Sequence, residues 1–103
     1  MNQQLVKKLQ KLQKEMVEEQ QALESTVFTA TAGGVVKVEV YGTKELANIE
    51  IDKGFEVEGP EDLEMLKDMI LAACKQAYSD VEKTTQEKMG KYNALLGGKS
   101  GLF

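Results

Sequence analysis

The stretch from Gly33 to Asp52 constrains this chain more than any other. Val36, Val38 and Val40 alternate with Lys37, Glu39 and Tyr41. After Gly42-Thr43-Lys44-Glu45 the pattern resumes, with Ala47, Ile49 and Ile51 alternating with Asn48, Glu50 and Asp52. Successive side chains of a strand point to opposite faces, so a period of two sorts these residues into an apolar face and a polar one. Two antiparallel strands follow, joined at the Gly42 turn, with one face wet and the other in need of cover.

The flanking segments supply that cover. Asn2 to about Glu24 holds no Gly or Pro and is dense in Gln, Lys, Glu and Leu, so it is predicted to be one long helix with Asn2 as N-cap. Leu5, Leu9, Leu12, Met16 and Leu23 fall on alternating a and d heptad positions, with Glu19 at the remaining one. That is a narrow seam suited to another helix. At ~1.5 Å per residue the helix spans roughly 35 Å, so part of it is expected to project or to meet a second subunit. Ser25 to Ala32 alternates Phe28, Ala30 and Ala32 with Val27, Thr29 and Thr31 and reads as a third strand, turning at Gly33-Gly34.

Lys53 to Gly59 reads as an acidic loop. Pro60 then starts a second long helix, in the first-turn position where its missing N–H costs nothing. Leu63, Leu66, Ile70, Ala73, Ala77 and Val81 give it a stripe which, with Met69 and Cys74, is wide enough to cover a sheet face. This helix is expected to run to about Met89. Gly90 should loosen the chain, Tyr92 to Leu96 should add a further turn, and Gly97 to Phe103 should form a flexible glycine-rich tail. Residues 1–103 thus read as a single α+β domain of order αβββα, with a three-stranded antiparallel meander.

Charge is sorted along the chain. The net charge is −4, yet residues 1–14 hold Lys7, Lys8, Lys11 and Lys14 and no acid. Residues 45–68 hold nine acids and only Lys53 and Lys67. From Lys75 to the end there are five lysines and three acids. Lys7, Lys11 and Lys14 share one helix face, opposite the apolar seam. Such a stripe is either plain solvated surface or a phosphate-contacting edge.

The chain has no histidine, arginine or tryptophan. General acid–base chemistry through histidine is therefore absent, and Cys74 has no histidine to activate it. The acids around Asp52 to Asp62 do not follow the calcium-loop spacing, and no cofactor or metal motif is present. Gly98-Lys99-Ser100 lacks the earlier glycine and the following helix that a phosphate-binding loop needs. A single cysteine fits a reducing cytoplasm, and no long apolar run or signal segment points to a membrane or to export. An enzyme with a small-molecule substrate is not expected.

The run Gly-Gly-Val-Val-Lys-Val-Glu-Val-Tyr-Gly at 33–42 resembles the YbaB/EbfC family of bacterial nucleoid-associated proteins. So do Ile49-Glu50-Ile51-Asp52, the segment from Leu63 to Ala73, Glu87-Lys88-Met89 and the Gly-Gly tail. The resemblance covers nearly the whole chain. It implies a tweezers-shaped homodimer with projecting helical arms, and binding of duplex DNA in the nucleoid through basic residues on those arms. Carried onto this chain, those residues are Lys7, Lys8, Lys11 and Lys14 on the first helix and Lys83, Lys88 and Lys91 on the last. With no arginine to read guanine bidentately, such binding is expected to show little sequence preference. The competing reading is a non-enzymatic scaffold module that uses the Leu5–Leu23 seam and the acidic face to bind another protein, without direct DNA binding.

Overall fold

A computed structural model describes residues 2–96. Helix α1 (Gln3–Ser25) leads into strands β1 (Val27–Ala32), β2 (Val36–Tyr41) and β3 (Leu46–Ile51), and helix α2 (Pro60–Leu96) closes the chain. The expected order αβββα is observed. The strands form one antiparallel sheet in the order β1-β2-β3. The molecule is long and thin, 71 × 21 × 16 Å. The expectations for residues 97–103, including Lys99 and the tail, lie outside the described residues.

Both turns of the meander depend on backbone that side chains rarely adopt. Gly33 and Gly34 have φ of 59° and 67°, the left-handed region that glycine enters without steric cost. At the second turn Lys44 takes φ of 73°. There the Tyr41 N–H donates to the Glu45 carbonyl at 2.9 Å, and the Lys44 N–H to the Tyr41 carbonyl at 2.8 Å.

The second turn corrects one expectation. Val36, Val38 and Val40 pair with Ile51, Ile49 and Leu46, while Glu39 pairs with Asn48. The register slips between Glu39 and Val40, so Ala47 is an extra residue. Leu46, rather than Ala47, continues the face of Ile49 and Ile51. A bulge of this kind adds one residue to one strand and shifts the alternation beyond it.

Helix α2 lies over β1 and β2. Val36, Val38 and Val40 meet Ala73, Ala77 and Val81 in a core where each is essentially fully buried. The small side chains at 73 and 77 let the helix approach the sheet closely. Cys74 is a partly exposed free thiol packed at the edge of this core. Strand β3 is exposed along its whole length.

Helix boundaries differ from expectation at two places. Strand β1 begins at Val27 rather than Ser25, because Ser25 is the last residue of α1. The Ser25 hydroxyl donates to the Gln21 and Ala22 carbonyls and the Thr26 hydroxyl to Ala22 at 2.7 Å, satisfying the end of the helix. Helix α2 does not loosen at Gly90 but runs unbroken to Leu96. Met89 and Tyr92, one on each side of Gly90, are buried against Leu23 of α1, with Leu12, Met16, Phe28 and Leu96 around them. That packing outweighs the ~1 kcal/mol that a mid-helix glycine costs.

Candidate nucleic-acid interface

The candidate site grows out of how α1 and α2 pair. Asn2 caps α1 as expected, its side-chain oxygen accepting from the Gln4 N–H at 2.8 Å. At the other end of α1, Gln20, Leu23 and Glu24 line a small cleft with Thr85 and Met89. Glu19 reaches Tyr92, whose hydroxyl donates to Glu19 Oε2 at 2.9 Å. Rising numbers on α1 therefore meet falling numbers on α2, and the two helices run antiparallel as one arm.

This pairing uses the lower half of the apolar seam. Leu23 is buried and Leu12 and Met16 are half-buried, while Leu5 and Leu9 remain exposed. The upper half of α1 extends past the described end of α2.

Lys7, Lys8, Lys11 and Lys14 all lie on that upper half, and all four are exposed. Among the described residues none of them has a carboxylate oxygen within 4.0 Å; the ion pairs found there involve Lys67 and Lys91. Lys83, Lys88 and Lys91 are also exposed, on α2. The antiparallel pairing brings Lys91 to Glu19 on the acidic half of α1, which also carries Glu15, Glu18 and Glu24. The α1 lysines lie roughly 8–18 Å farther along the helix from Glu19. The structure therefore forms two groups: an all-cationic tip, and a mixed-charge base.

Lys91 differs from the others. Its ammonium lies 3.7 Å from Glu19 Oε2 and 5.0 Å from the centre of the Tyr92 ring. The Glu19 charge, followed by Tyr92, holds the Lys91 pKa above its ordinary value. Burial, then the bond to Glu19, pushes the Tyr92 hydroxyl up as well. In the sequence Glu19 reads as a gap in the heptad seam and, with Glu15 and Glu18, as part of the acidic base of the helix. A carboxylate at a seam position was the available signal, but its partner lies 73 residues away.

Among the described residues there is no group of three or more His, Cys, Asp or Glu side chains placed to hold a metal ion. No described helix is long and apolar enough to cross a membrane. Fold and site together define a class: a small α+β chain with a sheet-and-helix hub and a two-helix arm tipped with lysine. Residues 1–96 match the model of the YbaB/EbfC DNA-binding family, and the chain belongs to that family. It is 45% identical over 102 residues to a nucleoid-associated protein of Clostridium kluyveri, covering 96% of this chain and 85% of that one. A nucleoid-associated protein of Clostridium acetobutylicum is 43% identical over 95 residues, covering 91% and 80%. Among solved structures, an uncharacterized protein from Helicobacter pylori superposes with a TM-score of 0.59 at 26% identity, covering 77% of this chain and 90% of that one.

Proposed function

We propose that this protein is a nucleoid-associated DNA-binding protein of the bacterial cytoplasm, acting as a homodimer that holds duplex DNA by lysines on its helical arms. The observation that carries the reading is the arm tip: four exposed lysines that, among the described residues, have no carboxylate oxygen within 4.0 Å, on the first half of α1 in a molecule 71 Å long. A polyanion can meet that tip despite the overall charge of −4. Lys83 and Lys88 extend the cationic surface down the arm, and Lys91 follows them where Glu19 permits. Membership of a DNA-binding family supports the same conclusion. Lysine contacts phosphate as a point charge and carries no base code, so the binding is largely indifferent to sequence.

The dimer is argued from what α2 leaves bare. Leu46, Ile49 and Ile51 share the helix-facing side of the sheet but lie beyond the cover of α2, each 37–42% exposed. Leu63 and Leu71 lie on one flank of α2 and are about half exposed. An apolar sheet face beside an apolar helix flank needs a partner, and a second copy brings the same pair of surfaces to it. The scaffold reading is weaker, because α2 of the same chain already occupies the lower half of the α1 seam.

A salt titration tests this. With ~4–6 phosphates neutralised, log K against log salt should fall with a slope of roughly −4 to −5, and unrelated duplexes of equal length should bind alike. Affinity that stays flat between 50 and 300 mM salt, on protein freed of nucleic acid, removes the reading.

A further inference from the structure

Glu19 is placed where it can govern one of the arm's cations. It projects from α1 at a seam position where an apolar residue would ordinarily sit. Tyr92 opposite it is buried, and its hydroxyl fixes the carboxylate by donating to Oε2. The same oxygen faces the Lys91 ammonium. The ring of Tyr92 lies under that ammonium, within the range of a cation–π contact. Two attractions therefore draw the Lys91 charge back toward the helix pair instead of outward to solvent.

We propose that Glu19 is a charge gate on the arm, withholding Lys91 from phosphate by acting as its internal counter-ion while Tyr92 holds the carboxylate in position. The proposal rests on the DNA-binding reading above. It divides the arm's cations into two kinds. Lys7, Lys8, Lys11 and Lys14 meet a polyanion without first leaving a carboxylate. Lys91 must exchange one anion for another, so it adds little to affinity while Glu19 is ionised. An exposed pair of this kind is weak, and the gate is correspondingly shallow: removing it should change binding by a small factor.

The test uses the full chain and a short duplex of random sequence. Glu19→Gln keeps an oxygen for the Tyr92 hydroxyl and removes the charge. Glu24→Gln removes the same charge from the same helix, at a residue with no ammonium within 4.0 Å among the described residues. Glu19→Gln should tighten binding about two- to fivefold and steepen the salt slope by up to ~0.9 per arm, one further phosphate contact each. Glu24→Gln should give a smaller gain with the slope unchanged. Lys91→Gln alone should weaken binding less than Lys11→Gln does, and added to Glu19→Gln it should abolish the gain. The gate is overturned if Glu19→Gln and Glu24→Gln behave alike, or if the gain survives Lys91→Gln. Those results would leave the functional reading standing, whereas a wild-type protein that does not bind duplex DNA would remove both.

Discussion

Gly42 lies directly against the carbonyl of Leu23, where the end of α1 meets the β2–β3 turn. A Cβ at position 42 would overlap that carbonyl, which is backbone and cannot swing aside. The Gly42 N–H donates to the Thr26 carbonyl at 3.0 Å, so the contact also joins the α1–β1 corner to the turn. This joint seats the end of α1 against the β2–β3 turn. Gly42→Ala should cost ~3 kcal/mol, since relief requires α1 to move. Urea unfolding would measure the loss, and a midpoint unchanged from wild type would show that the corner can shift freely.

The closeness of α2 to the sheet rests on Ala73 and Ala77, both without exposed surface. A larger side chain there has to push the helix off Val36, Val38 and Val40. Ala77→Leu should destabilise the fold by about 2–3 kcal/mol, although it adds apolar volume. A thermal melt that rises instead would mean that the interface contains unfilled space.

The hub was legible in the sequence because its signals are local. Alternation over Val36–Tyr41 and Ile49–Ile51 specifies strands, and the 63–81 stripe specifies the covering helix. The misreadings came where a distant contact overrides a local preference. Gly90 signals a break by propensity, but Met89 and Tyr92 are held by Leu23, which the sequence does not place beside them. Ala47 fits the strand alternation by count, yet a bulge opposite Glu39 and Val40 makes it an extra residue of β3. The lysine tip was readable as a run of like charge. The restraint of Lys91 by Glu19 was not, because it depends on the antiparallel register of two helices whose pairing no local pattern encodes.

The bare face of β3 gives a prediction on assembly. Ile49→Lys with Ile51→Lys places two ammonium groups where a second copy is proposed to sit. Both positions are exposed in the single chain, so the fold of each subunit should persist. Light scattering should shift from dimer to monomer with unchanged helical circular dichroism. A double variant that remains dimeric would relocate the interface away from β3.

The lysine tip gives a prediction on binding. Lys7, Lys11 and Lys14 stand on one face of α1 and make no ion pair among the described residues, so nothing in the fold needs them. Replacing all three with Glu should leave the melting temperature within ~2 °C while weakening DNA binding at least ~100-fold at 100 mM salt. Unchanged affinity would clear these residues of the role and move attention to Lys83 and Lys88.

The clasp at the arm's base makes stability depend on alkaline pH, with a definite sign. Lys91, with an ordinary pKa of 10.5, is raised chiefly by the charge of Glu19. Tyr92, with an ordinary value of 10.0, is raised chiefly by burial and then by its bond to Glu19. A raised value means that the folded state holds its proton more tightly than the unfolded chain. The resulting stability is complete below pH 10 and is lost as pH climbs through the folded-state values, which lie above 10.0 and 10.5. Ionised Tyr92 can no longer donate to Glu19, and neutral Lys91 no longer pairs with it, so both losses act at the same carboxylate. Wild type and Glu19→Gln should therefore differ in urea midpoint at pH 8 and converge once pH has climbed past those raised folded-state values. A difference that persists at that pH would show that Glu19 contributes through packing alone.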